Sequence, residues 1–267
     1  MLKKYETILV KDDDGIVTIT LNVPETMNAL SDPMKVEIAD VLETIDQGES
    51  MKVVVITGVG NAFCSGGDVG AGRTVRSPIA AERRYQRDIV GFQEKLRLFP
   101  MPTIAAVNGH AKGLGLWLAM LCDFVVASPS ARFGVPQIRF NIHANGGSIK
   151  SMLEYVPYRW AVYHLLSGED ITAEEAERFF MVNKVVPQEQ LLTEAYKLAE
   201  MMKDKNPVIV RFLKRSIWRE KYLPYAEAVA LDYMQTTWVS SIRREMGDTR
   251  PSGLEAMKAE KSRARGR

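Results

Sequence analysis

The sequence predicts an α/β core with a helical extension. Three observations carry this: β-type runs alternate with helical periodicity through the first half, glycine-rich segments join strands to helices there, and the second half is almost wholly helical in pattern. Thr7 to Val10 and Ile16 to Leu21 place β-formers on either side of Asp12-Asp13-Asp14-Gly15, a hairpin with a glycine-containing turn. Ser31 or Asp32 ahead of Pro33 supplies an N-cap and first turn, and Met34, Val36, Ile38, Val41, Leu42 and Ile45 follow at roughly helical spacing. Met51 to Thr57 is short, apolar and β-branched, the pattern of a buried strand closed by Gly58. Thr103 to Val107 reads the same way and ends at Asn108-Gly109. Gly113-Leu114-Gly115 then opens an apolar helix to Leu121, and Phe124 to Ala127 returns to β. From Gly146 onward helical signals dominate, over 148–155, 160–166, 172–180, 189–203, 207–219 and 226–244. The expected division is a core over residues 1–200 and a helical C-terminal region over 201–267.

Composition excludes several classes. Lys and Arg number 35 against 33 Asp and Glu, a net charge of +2, so no global field calls for nucleic acid or an anionic membrane. Only Lys258 to Arg267 is plainly basic, and it reads as a solvated end in preference to an RNA-binding arm. Cys64 and Cys122 lie far apart in apolar or glycine-rich surroundings, which fits a reducing compartment, with cytoplasm the default. Cys64 reads as a small buried filler. No presequence pattern opens the chain, and no run approaches the ~18 apolar residues of a membrane span. The expectation is a soluble protein with no membrane or nucleic-acid partner and no metal.

The chemistry is concentrated in two junctions. Ala62-Phe63-Cys64-Ser65-Gly66-Gly67-Asp68-Val69 follows a buried strand, and its glycine pair lets the backbone turn sharply with N–H groups exposed; alone, it is equally a plain tight turn. Asn108 to Gly115 links a strand to a helix, so its amides lie where orphan donors and the helix dipole favour negative charge. Neither loop has the G-x-G-x-x-G or G-x-x-x-x-G-K-[ST] spacing of nucleotide-binding motifs. Two such junctions meeting at one oxygen would form an oxyanion hole.

Leu21-Asn22 through Asn28-Ala29-Leu30, Ala62 to Val69, Pro102 to Gly115 with Cys122-Asp123, Phe133-Gly134-Val135-Pro136, Ser167-Gly168 with Ala173 to Ala176, and Val182 to Pro187 together resemble the enoyl-CoA hydratase/isomerase, or crotonase, family in order and spacing. The resemblance implies a spiral of repeated ββα units followed by a helical region that builds trimers, often paired into hexamers. It implies an acyl-coenzyme A thioester as substrate, with coenzyme A as part of that substrate and no permanently bound cofactor. By position, the amides of Gly67 and Leu114 would hold the thioester oxygen. Met27, Ala29, Gly66, Asp68 and Val69 would receive the adenine and pantetheine end of CoA.

The chain departs from the hydratase pattern where proton transfer is done. The two glutamate positions of hydratases that it resembles hold Trp117 and Gln137, and the later aspartate position used by some isomerases holds Asn145. Neither indole nor carboxamide exchanges a proton near neutral pH. Trp117 reads as an apolar wall of the acyl pocket or as core, Gln137 as a group orienting a substrate carbonyl or as simple packing. Remaining acid/base candidates are His143, two residues before Asn145, then His110, and Tyr85 within the cluster Glu82, Arg83, Arg84, Tyr85, Arg87, Asp88. Lyase or isomerase chemistry, such as decarboxylation, a double-bond shift or C–C cleavage, is favoured over hydration. A hydratase with relocated acid and base, and a non-catalytic CoA-binding subunit, stay open as alternatives.

Overall fold

The computed structural model describes residues 3–48, 50, 52–68, 77–85, 91–245, 257–258 and 261–262. The chain divides into residues 1–214 and 215–267. Helix α8 (Leu191–Lys203) belongs to the core, with Leu191, Ala195 and Ala199 on the same sheet face as Ile16, Val53, Val55, Ile104, Ala106 and Val126. The join falls beyond it, and later than the expected residue 200, because the chain is tied to the core as far as Lys214, whose Nζ donates to Met101 O at 2.6 Å and pairs with Asp123.

Two sheets build the first unit. The larger has the order β1-β2-β3-β5-β7-β10, from β1 (Ile8–Asp13), β2 (Ile16–Leu21), β3 (Val53–Gly58), β5 (Thr103–Val107), β7 (Phe124–Ala127) and β10 (Lys184–Val185). The β1–β2 hairpin is antiparallel and every later pairing is parallel. The smaller sheet has the order β4-β6-β8-β9, from β4 (Ala62–Cys64), β6 (His110–Lys112), β8 (Arg132–Gly134) and β9 (Ile171–Thr172). A long strand, a short strand and then helix recur three times: β3, β4, then α2 (Pro78–Tyr85) and α3 (Glu94–Arg97); β5, β6, then α4 (Leu114–Leu121); β7, β8, then α5 (Ser148–Tyr155). This is the spiral of ββα units that the resemblance implies. Because β3 and β5 are covered on both faces, residues 53–56 and 103–107 are buried without alternation.

The N-terminal helix α1 (Asp32–Asp46) starts as expected, with Ser31 capping the amide of Met34 at 3.3 Å and Pro33 in the first turn. It also anchors the first strand. Glu37 accepts from the amides of Glu6 and Thr7 at 2.8 and 2.9 Å and from the Thr7 hydroxyl at 2.5 Å. Burial opposes its ionisation, but the hydrogen bonds from Thr7, Glu6 and Ile8 outweigh it and hold the carboxyl below the usual carboxylate range. A carboxyl depressed in the folded state contributes stability that is fully present above its unfolded pKa and is lost as pH falls through the folded value. Glu37→Gln is expected to lower neutral-pH stability by about 1–3 kcal/mol, since hydrogen bonds to a charged acceptor are lost. The difference from wild type should shrink as pH falls below ~4, which melting temperatures between pH 3 and 7 would read.

Later helices α6 (Tyr158–Ser167), α7 (Ala173–Arg178), α9 (Pro207–Glu220) and α10 (Tyr225–Glu245) complete the described chain. Thr172 and Glu175 form a reciprocal capping box at the start of α7. Within residues 215–267, the Ser216 hydroxyl donates to Gln235 Oε1 at 2.8 Å, joining α9 to α10. No helix among the described residues is long and apolar enough to cross a membrane.

Candidate active site

The site is built where β4 and β6 run side by side and the chain leaves each through a glycine turn. Ala62 pairs with His110 and Cys64 with Ala111 in parallel. Two buried asparagines brace this region. Asn28 Nδ2 donates to Val59 O at 3.0 Å and to Ala62 O at 2.8 Å, while Asn108 Nδ2 donates to Gly60 O at 2.9 Å and to Ala62 O at 3.2 Å. Asn28 holds a left-handed conformation (φ 56°), which asparagine tolerates better than most side chains.

The first turn lies along the 27–30 segment. Ser65 N donates to Met27 O at 3.0 Å, Leu30 N to Gly66 O at 2.7 Å, and Asp68 N to Leu30 O at 3.4 Å. Leu30 and Gly67 thus form an isolated parallel bridge. That bridge uses the Gly66 carbonyl and the Asp68 amide, so the N–H of Gly67 points to the opposite side. The second turn passes through Gly113 (φ 50°), whose N–H donates to Gly134 O at 2.8 Å, and delivers Leu114 as the first residue of α4. An N–H in that position has no partner inside its own helix. Among the described residues, no backbone carbonyl accepts from Gly67 N–H or Leu114 N–H.

The two turns touch. A methyl group on Gly115 would overlap the Cys64 carbonyl oxygen and lie 2.9 Å from Cys64 Cβ, and one on Gly66 would lie 3.2 Å from Lys112 O. Gly67 and Leu114 therefore stand on adjacent, mutually packed turns, each with a free main-chain donor. A carbonyl oxygen that accepted from both would gain negative-charge stabilisation from fixed dipoles, with the α4 N-terminus adding to it.

Several apolar side chains pack around the second turn. Trp117 is 4% exposed; its ring packs on Phe92 (centroids 5.9 Å, 52°), and a methyl on Gly147 would lie 2.8 Å from its Cδ1 and Nε1. Gly146 likewise leaves room for the Leu114 side chain, and Gln93 Nε2 donates to Gly146 O at 3.1 Å. Trp117 is thus buried and packed against both Phe92 and the Gly147 backbone. Gln137 lies at Gly113, where an added methyl would meet its Nε2 at 2.9 Å, and its Oε1 is buried with no donor among the described residues. Its carboxamide is packed into the turn itself.

The acid/base candidates fare differently. His143 and Asn145 are exposed on the loop before α5, and Asn145 contributes its carbonyl, which accepts from the Ser148 hydroxyl at 2.6 Å and the Ser148 amide at 3.4 Å. His110 is half-buried on β6, between Ala62 of β4 and Arg132 of β8. Glu82 and Arg83 are exposed on α2; Val69, Arg87, Asp88 and the side chains of Arg84 and Tyr85 lie outside the described residues. Met27 is exposed at φ 51° and Ala29 is buried, with Gly66 and Asp68 alongside them through the bridge. Cys64 is fully buried, and burial pushes its thiol up to about 11, away from nucleophilic use. Sequence reasoning missed Phe92, Gly146 and Gly147 as site residues and took Gly115 only as part of the second junction. The glycines were the legible signal, since each marks a close approach.

The sequence profile of the enoyl-CoA hydratase/isomerase family matches residues 11–252. Over 232 residues the chain is 32% identical to a hydroxycinnamoyl-CoA hydratase-lyase of Pseudomonas fluorescens, covering 84% of this chain and 82% of that protein. It is 33% identical over 210 residues to a 2,3-dehydroadipyl-CoA hydratase of Escherichia coli K12, covering 79% and 81%. The crystal structure of an enoyl-CoA hydratase from Mycobacterium smegmatis matches with a TM-score of 0.84 at 27% identity, over 97% of each chain. Paired turns presenting free amides, the ββα spiral and these similarities lead to one assignment: the chain belongs to the enoyl-CoA hydratase/isomerase, or crotonase, family of acyl-CoA enzymes.

Proposed function

We propose that the enzyme binds an acyl-CoA thioester with its carbonyl on Gly67 N–H and Leu114 N–H, and that it stabilises an enolate formed by lyase or isomerase chemistry in preference to hydration. The observation that carries this reading is the pairing of two free amides on touching turns with an indole and a carboxamide at the two positions where water would be handled. Hydration needs a base to activate water and an acid to protonate the α-carbon. Loss of CO₂ from a β-carboxyacyl-CoA needs neither to begin: the breaking C–C bond supplies the electrons, the thioester oxygen takes the charge, and a proton returns afterwards from water or an exposed group such as His143. Met27, Ala29, Gly66, Asp68 and Val69 receive the CoA end in this reading. The exposed Tyr233, Met234 and Trp238 on α10 support assembly into a homotrimer or a dimer of trimers.

The names of the relatives supply a second reading, a hydratase whose acid and base come from elsewhere in the chain. One experiment separates the two. Crotonyl-CoA, a β,γ-enoyl-CoA and a β-carboxyacyl-CoA are incubated with the full chain, and the products are followed by mass spectrometry. Decarboxylation or a double-bond shift is expected to exceed hydration; crotonyl-CoA hydration at about 10² s⁻¹ or faster, within the ordinary range of enzymes, would sink the proposal.

A further inference from the structure

Lys112 is the residue at which the two donor turns meet, and its side chain is tied to a third element. It ends β6 and directly precedes Gly113 and Leu114. On one side its carbonyl oxygen faces Gly66, where an added methyl would approach to 3.2 Å. On the other its ammonium crosses β8 and stands 2.5 Å from Oδ1 of Asp170, the residue before β9. Distance makes this an ion pair, although the ammonium has no aligned hydrogen bond among the described residues. Gly134, which pairs with Lys112 across the β6–β8 ladder, leaves the space for it: a methyl there would lie 2.9 Å from Asp170 Oδ1 and 3.5 Å from Lys112 Nζ. Gly134 also accepts the Gly113 amide at 2.8 Å. The turn that delivers the Leu114 donor is therefore held from both ends of one residue.

We infer that Lys112 and Asp170 are positioning residues: their ion pair fixes the β6–α4 turn so that the Leu114 amide keeps its aim at the thioester oxygen. A strut of this kind needs a short, shielded pair, and the two side chains are only 13% and 33% exposed. Burial pulls the Lys112 ammonium below the ordinary lysine range despite the attraction of Asp170, with Arg139 and Arg132 adding like charge. The pair therefore sits where desolvation makes geometry matter. An error of ~1 Å in aim is enough to lose about 10²-fold in rate.

The inference rests on the reading that Gly67 and Leu114 hold a thioester carbonyl, and the test separates the two. Dissociation constants of acetyl-CoA and of S-ethyl-CoA, its thioether counterpart with no carbonyl, are measured calorimetrically on the full chain. Wild type is expected to prefer acetyl-CoA by about tenfold, the worth of one or two net hydrogen bonds. Lys112→Met and Asp170→Asn should each shrink that preference to about twofold while leaving S-ethyl-CoA affinity unchanged, and Lys112→Arg should retain most of it. A purely structural role would weaken both ligands together. If wild type shows no preference, the carbonyl site itself fails and the strut with it. If wild type shows the preference and the folded variants keep it, only the strut is overturned. Should Lys112→Met not fold, Asp170→Asn carries the test, because its carboxylate is the more exposed partner.

Discussion

Gly115→Ala is expected to lower kcat/KM by about 10²–10³ on the thioester that screening identifies, with the chain still folded. The added methyl would overlap the Cys64 carbonyl oxygen and lie 2.8 Å from the Cys64 carbonyl carbon, so one of the two turns must withdraw. Neither can do so freely. Cys64 is held in the β4–β6 ladder, and the neighbouring Ala62 carbonyl takes donors from both Asn28 and Asn108. On the other side, residues 115–121 of α4 are all buried. Overpacking of this sort costs about 1–3 kcal/mol in stability. The larger consequence is geometric, because the strain falls between the two free amides and spreads them. Steady-state kinetics and a melting curve on the same preparation check it: a variant with wild-type kcat/KM would mean that the two turns do not share one ligand oxygen.

The alternation of strand and helix could be read from the chain because its long strands obey simple physics, whereas the ββα repeat came only from the family resemblance. β3 and β5 are buried on both faces, so they appear as unbroken β-branched or small apolar runs, and the helices between them keep a clear period. The small sheet was not read as a sheet. β4, β6 and β8 have three residues each and β9 has two, lengths at which no alternation can register, and two of them lie inside the glycine-rich junctions. The two junctions were legible because glycine marks backbone exposure, while the choice of Gly67 and Leu114 within them came from the resemblance. Their surroundings were not: Phe92 against Trp117 and Asp170 against Lys112 join residues that only the fold brings together. The join at residue 214 was not legible for a similar reason: α9 reads as one continuous helix, and only the fold ties Lys214 to Met101 O and Asp123.

Trp117→Ala is expected to cost about 3–5 kcal/mol of stability, the range for removing a large aromatic side chain from a well-packed site. The indole contacts Phe92 on one side, and on the other Gly147 (φ 86°), whose missing side chain makes room for the ring. No neighbour can collapse into the space easily: Gly147 has no side chain to offer, and the loop behind it is tied through Gln93 to Gly146 O. The opened volume lies beside the first turn of α4, so water gains access to the neighbourhood of the Leu114 amide. Access alone should not create a hydratase, because Gln137 still has no proton to exchange. Trp117→Glu would restore a carboxylate, but in surroundings that disfavour its charged form and raise its pKa, so it should be at least as destabilising as alanine. Urea unfolding of wild type and both variants, with crotonyl-CoA hydration measured on each, reads both halves of this expectation. A Trp117→Ala variant within about 1 kcal/mol of wild type would show that the indole is not tightly packed against Phe92 and Gly147.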